Sequence, residues 1–385
     1  MTKDHIIEKP KKRITIFDLT RFIAMVLMMQ GHTIYAFLDT TTIHTGSFWW
    51  LLWELNRGFT APVFLVVSGA VQIFANKRDE FGNIHKKTFR KRIILGISLV
   101  ILSLLLHLPG SLMDMLVMSD QRLLRLFEVN ILQLIGVCLI MNVILMKFIK
   151  SEIAHLIVSG FLILIFSFGG HLIESYKLYE GIHPFFASYF TFNYGSIFPI
   201  FPTAAYFFAG IVFGLMLKKT KYEHKSYIRI SSLILATTIF IIFYLQHSYQ
   251  GSFFQSILYM DRLSIGLILF RLSITFVYIF IASFIDELLT KKHIVLMFGK
   301  RSLLVYVIHL YFIYNFFLYT PAFQGYFKLN IFDLSKTLLL VFLVVSLTLL
   351  SVYMIDFLLK KYKVSKYVFQ ILIAFIIIVK LFPFF

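Results

Sequence analysis

Apolar runs of about 20 residues recur from Arg13 to the C-terminus, separated by short polar or basic stretches. Each run is long enough to carry an α-helix across the ~30 Å hydrocarbon core of a bilayer. The pattern predicts spans at about 13–38, 48–75, 93–113, 128–147, 153–172, 197–217, 230–247, 263–285, 302–319, 336–359 and 367–385. The expected fold class is an all-α integral membrane protein, a polytopic bundle of about 10–11 transmembrane helices. Residues 1–12 read as a basic cytoplasmic tail and 13–385 as a single polytopic membrane domain. The last run is expected either to span or to lie at the interface or re-enter. Pro62 is expected to kink the second span, because its ring removes a backbone hydrogen bond. No cleavable signal peptide is expected, since the first apolar run is too long and lacks a small-residue cleavage site.

Composition supports this reading and narrows the function. The chain is 59% hydrophobic and only 15% charged, with a mean hydropathy of +0.83. Soluble domains do not have this balance. The net charge of +18 would suit a nucleic-acid partner, but most Lys and Arg fall in loops of one parity. That asymmetry is what orients a membrane protein, so the bilayer explains the charge and no nucleic acid is expected. It also puts the N-terminus on the cytoplasmic side of a cell membrane. Cys138 is the single cysteine, which excludes an internal disulfide and a cysteine metal cluster. There is no HExxH, no Walker A loop and no GxGxxG, and no metal is expected.

The first run carries the candidate chemistry. RITIFDLTRFIAMVLMMQGHTIYAFL, residues 13–38, holds Asp18, Arg21, Gln30 and His32. An ionisable group near the centre of a span costs roughly 2.5–3.5 kcal/mol by insertion scales, so such groups mark functional sites. Eleven residues separate Arg21 from His32, which is three helical turns plus ~20°. Both therefore point the same way, ~16 Å apart along the axis. His32 has the chemistry of a general base. Arg21 suits a bidentate contact to phosphate, with Asp18 on the same face either pairing with it or orienting it.

The second run adds Glu54 and Arg57, three residues apart. They read as a self-neutralising pair, or as a carboxylate that orients His32 and a cation that serves substrate or cofactor. Ser68 and Gly69 end that run and suit close helix packing or close approach of a ligand. His309, between Tyr306 and Tyr311 in the ninth run, reads as a hydrogen-bonded core histidine, and His107 and His171 as interfacial ones.

These residues resemble a known family. Arg13, Asp18 and Arg21, in the pattern R-x4-D-x2-R, are similar to the opening of the transmembrane acyltransferase superfamily. Arg21 and His32 match the R-x10-H pattern of acyltransferase-3 proteins. FLVVSG at 64–69 resembles their FFxxSG motif, with Leu65 in place of the second Phe. TAPVFLVVSG at 60–69, ILQLIGVCLI at 131–140, FPIFPTAAYFFAGIVFG at 198–214 and FGKRSLLVYVIHL at 298–310 resemble bacterial relatives of heparan-α-glucosaminide N-acetyltransferase. The chain departs from these patterns at Phe22, where Gly often follows the arginine, and has no histidine in register before a Trp-Asn pair.

The resemblance implies a membrane acyltransferase. Its donor would be acyl-CoA, foremost acetyl-CoA, bound from the cytoplasm with its phosphates held by Arg21 and basic loop residues; the residues themselves add Asp18, Arg57 and Ser68 as candidate donor-side groups. His32, which Glu54 is placed by the spacing of the second run to orient, would deprotonate a hydroxyl or amine of an extracytoplasmic glycan or other envelope acceptor. A transporter or flippase for a lipid-linked sugar or small anion, and a non-catalytic scaffold, are the competing classes. No internal repeat supports transport.

Overall fold

The computed structural model of the protein describes residues 13–76, 78–107, 127–220, 225–246, 253–289, 294–317, 331–363 and 371, with the side chains of 254–255 and 315–317 left aside. The outer end of the third expected span (108–113), the outer segment with Arg122 and Arg125, and nearly all of the expected eleventh span lie outside the described residues.

The architecture is all-α. In chain order the main helices are α1 (Thr15–Phe37), α2 (Phe48–Arg57), α3 (Thr60–Ala75), α4 (Lys86–His107), α5 (Ile131–Phe148), α6 (Glu152–Ser175), α7 (Ile200–Lys219), α8 (Lys225–Gln246), α9 (Ile265–Leu288), α10 (Ile294–Lys300), α11 (Ser302–Leu310) and α12 (Leu334–Lys361). A stretch of π-helix, Tyr311–Phe317, extends α11. No named strand occurs among the described residues.

Among the described residues, seven helical stretches are long and apolar enough to cross a membrane, or eight if the bent pair α10–α11 is one span. α1 and α4 are not among them. The α1 sequence holds the polar residues named above, and α4 opens with the basic run KKTFRKR. α1 instead packs against α2, α3, α9, α10, α11 and α12. This surrounding protein shields it from lipid, the setting in which polar side chains are tolerated at membrane depth.

Burial separates centre from rim. In the most apolar window, 72% of α7 and 61% of the α2–α3 stretch are buried, against 28% of α6 and 22% of both α8 and α12. The rim helices present Ile157, Phe161, Leu164, Leu233, Ile234, Leu339 and Phe342 outward, as lipid-facing surfaces do. The centre is held by close contact. A Cβ on Gly69 would sit 2.0 Å from the Phe207 carbonyl oxygen, and one on Gly210 would sit 2.0 Å from that of Val66. Only glycine at both places lets α3 and α7 approach to this distance, which is how helices associate without a hydrophobic driving force.

Two spans are broken where the sequence pattern reads them as continuous. The second stops at Gly58–Phe59 and restarts at Thr60. Pro62, the third residue of α3, has no N–H for the Gly58 carbonyl four residues earlier, so the interruption falls where the expected Pro62 kink would place it. The ninth begins earlier than expected, as α10 within the segment read as a basic loop, and bends by 79° before α11. Gly299 beside that bend is pressed on α1, its missing Cβ 2.0 Å from the Asp18 carbonyl oxygen.

Ion pairs gather on the face where α1 begins. Arg13–Asp18, Lys218–Glu152, Lys225–Asp286, Arg229–Glu287, Arg301–Asp356 and Lys360–Asp356 all tie helix ends there. Arg78 closes the end of α5 on the same face, donating to the carbonyls of Met146 (3.2 Å), Ile149 (2.7 Å) and Lys150 (3.2 Å). At the opposite face, Leu38 bridges Phe332, and Asp333 caps α12.

Candidate active site

α1 positions the site. Its apolar stripe, with Phe17, Ala24, Met25, Met28 and Met29 buried, locks the helix into the bundle. Its hydroxyls are satisfied internally: Thr20 donates to the Ile16 carbonyl and Thr33 to that of Met29, each at 2.8 Å. Two of its other polar groups, Arg21 and His32, open into a cavity of about 260 Å³. α3 contributes Thr60 and Ser68 to its wall, and α11 contributes Ser302 and Tyr306; Leu99 and Ile135 supply apolar lining.

Arg21, His32 and Ser68, all read from sequence as site residues, are thus brought to one space. The other three are placed elsewhere. Asp18, 2% exposed, is gripped by Arg13 through Nε at 2.6 Å and Nη2 at 2.7 Å. The paired carboxylate expected for Arg21 therefore belongs to Arg13, whose fork reaches both Asp18 oxygens. Arg21 itself makes no hydrogen bond or ion pair with a described residue. Glu54 and Arg57 pair with each other at 3.7 Å. Neither lines the cavity. The Arg57 guanidinium lies over the rings of Tyr35 (4.8 Å) and Trp53 (5.4 Å). A Cβ on Gly31, the residue before His32, would meet the Arg57 stem at 3.5 Å.

At the far end of the cavity, His32 meets a second histidine. His32 Nδ1 is 3.1 Å from His309 Nε2, and the two rings meet end to end, centroids 5.3 Å apart and planes within 20° of each other. His309 is fully buried, its Nδ1 is 3.0 Å from the Val305 carbonyl oxygen, and the Tyr306 ring packs edge-on against it at 5.6 Å. α1 is therefore met by α10 at Asp18–Gly299 on one face and by α11 at His32–His309 towards the other.

Near Arg21 the bend at Arg301 matters. α11 starts afresh there, so Ser302 and Leu303, which line the cavity, belong to a first turn whose N–H groups have no intrahelical acceptor. A helix N-terminus and a guanidinium at one cavity make a place suited to an anion. Arg301 is turned away and held by Asp356 at 2.6 Å.

Sequence reading gave Ser302, Tyr306 and Thr60 no role and placed His309 in the core. A signal was present: Ser302, Tyr306 and His309 stand at i, i+4 and i+7, one polar stripe along an otherwise apolar helix. No group of three His, Cys, Asp or Glu side chains suited to a metal occurs among the described residues.

Comparison with known proteins fits this geometry. The acyltransferase-3 family model, described as an acyltransferase domain, matches residues 14–357. That is most of the chain, and the protein belongs to the acyltransferase-3 family: it is a multi-pass membrane acyltransferase. No curated protein matches the chain.

Proposed function

We propose that the protein moves an acyl group, foremost acetyl, from cytoplasmic acyl-CoA to a hydroxyl or amine of an extracytoplasmic glycan or other envelope acceptor, with His32 as general base. The observation that carries this reading is one cavity with Arg21 towards one face and His32 towards the other. The two differ in chemistry as the two halves of the reaction do. Arg21, with the first turn of α11 and Ser68, suits the charged donor. His32 suits the proton of the acceptor.

Cavity size supports a divided donor. At about 260 Å³ the space is below the ~300–1,000 Å³ that encloses a whole drug-sized ligand. It accommodates the acyl-pantetheine arm, with the nucleotide at the mouth on the basic face. In the reaction, His32 takes the proton from the acceptor O–H or N–H as that atom attacks the thioester carbonyl. The C–S bond then breaks, and the thiolate leaves with the proton carried by the imidazolium. The acceptor's proton thus ends on CoA, and no oxidant or metal is needed. The abundance of Lys and Arg on loops of one parity supports a cytoplasmic N-terminus, which puts Arg21 on the donor side.

The test is transfer of label. Membranes bearing the protein, incubated with radiolabelled acetyl-CoA, are expected to pass label to envelope glycans, and His32→Ala membranes are expected not to. Labelling that persists undiminished in His32→Ala overturns the role given to His32.

A further inference from the structure

His309 touches the proposed base and faces a carbonyl with its other nitrogen. That fixes the protonation of both rings. The Val305 carbonyl oxygen can only accept, so His309 Nδ1, 3.0 Å away, carries the hydrogen. A neutral imidazole has one N–H, so His309 Nε2 carries a lone pair. His32 Nδ1 lies 3.1 Å from that lone pair and must be the donor. The hydrogen of His32 is therefore on Nδ1, and Nε2 is its basic nitrogen.

We infer that His309 is a positioning residue for His32: through the Nδ1–Nε2 hydrogen bond between the two near-coplanar rings it selects the tautomer whose Nε2 is the base and holds that ring at the cavity. This inference rests on His32 being the base. It gives to a neutral histidine the task that a carboxylate performs in hydrolase triads, to hold the imidazole in one tautomer and orientation. During the reaction, His32 Nε2 gains the acceptor's proton while Nδ1–H stays donated to His309. The bond strengthens as His32 becomes cationic, because charge-assisted hydrogen bonds are stronger. No proton passes to His309, and the same proton later leaves from Nε2 to the thiolate.

The supports of His309 suit this task. It is 0% exposed, its ring meets His32 end to end and Tyr306 edge-on, and its own hydrogen bond is to backbone one turn earlier. A ring tied to its own helix cannot rotate without breaking that bond. The π-helical stretch that begins two residues later, at Tyr311, is a local irregularity of the kind found at functional sites.

The test compares two substitutions in the full-length protein, with label transfer from acetyl-CoA as readout and thermal stability in detergent measured alongside. His309→Leu removes the acceptor and is expected to lower kcat about 10²–10³-fold, with KM for acetyl-CoA changed less than about threefold. His309→Gln keeps an acceptor oxygen for His32 and an N–H for the Val305 carbonyl, and is expected to recover kcat to within about tenfold of the unaltered protein. Loss of activity in His32→Ala with unchanged kcat in both His309 variants overturns this inference and leaves His32 as base. Undiminished activity in His32→Ala overturns the base reading itself. Equal loss in His309→Leu and His309→Gln also overturns the inference, because a hydrogen-bonding role is rescued by glutamine. Should His309→Leu fail to fold, ¹⁵N NMR of the histidine-labelled protein decides the matter without turnover. It is expected to find His32 protonated at Nδ1 and bare at Nε2, and the opposite tautomer contradicts the assignment.

Discussion

Arg21 and His32 line one cavity from the same side of α1, about 16 Å apart by helical rise. On the proposed reading the guanidinium serves the donor and the imidazole the acceptor's proton, so their substitutions should separate in kinetics. Arg21→Gln is expected to raise KM for acetyl-CoA roughly 10- to 100-fold, the worth of about 1.5–3 kcal/mol for a hydrogen bond to charge. Its kcat should stay within about threefold. His32→Ala should remove kcat. Steady-state label transfer at varied acetyl-CoA checks both, and equal loss of kcat in the two variants would contradict the division of roles.

Arg13 holds Asp18, so its contribution should be to stability and not to donor binding. Arg13→Ala leaves a buried carboxylate without its fork and is expected to cost about 1–3 kcal/mol. Adding Asp18→Ala removes the stranded charge and should return part of that loss. Melting of the single and double variants in detergent measures the difference. A KM rise in Arg13→Ala as large as in Arg21→Gln would show that the two arginines share one task.

The α3–α7 contact leaves no room for a methyl group at Gly69 or Gly210. Each alanine substitution must push a backbone carbonyl aside, at about 1–3 kcal/mol or more for overpacking. Both are expected to reduce the folded fraction seen by size-exclusion chromatography. Gly160, around which a Cβ would meet nothing, serves as control, and its alanine variant should elute as the unaltered protein does.

Asp333 caps α12, accepting from the Lys336 backbone N–H at 2.9 Å and the Ser335 hydroxyl at 2.7 Å. These bonds hold its carboxyl down at about 2, the backbone N–H of Lys336 foremost. A lowered value means the cap stabilises fully above the ordinary carboxylate range, and the benefit disappears as pH falls through about 2. Asp333→Ala is thus expected to lower Tm at neutral pH, with the gap to the unaltered protein closing in acid. A gap that is constant with pH would contradict the cap.

The legible part of this molecule was its periodicity. Apolar runs marked the helices, and the 3.6-residue repeat alone aligned Arg21 with His32 before any contact was known. Ser68 and Gly69 stand out together in the sequence, and the structure divides the pair, Ser68 to the cavity and Gly69 to the α7 contact. Tertiary relations were beyond reach. His32 and His309 are 277 residues apart in the chain, and nothing local links them. Asp18 was assigned to Arg21 because three residues separate them, yet Arg13, just before the helix, has the better-placed fork. The bend at Arg301 is hidden for the same reason, lying where neighbouring helices compensate a break that hydropathy alone does not register, whereas Pro62 marks the interruption at Gly58–Phe59.

The most direct measurement is a structure determined with CoA bound. The donor's phosphates are expected beside Arg21 and the first turn of α11, with the thiol extended through the cavity towards His32. CoA bound elsewhere, or bound with its thiol directed away from His32, would contradict the proposed direction of transfer.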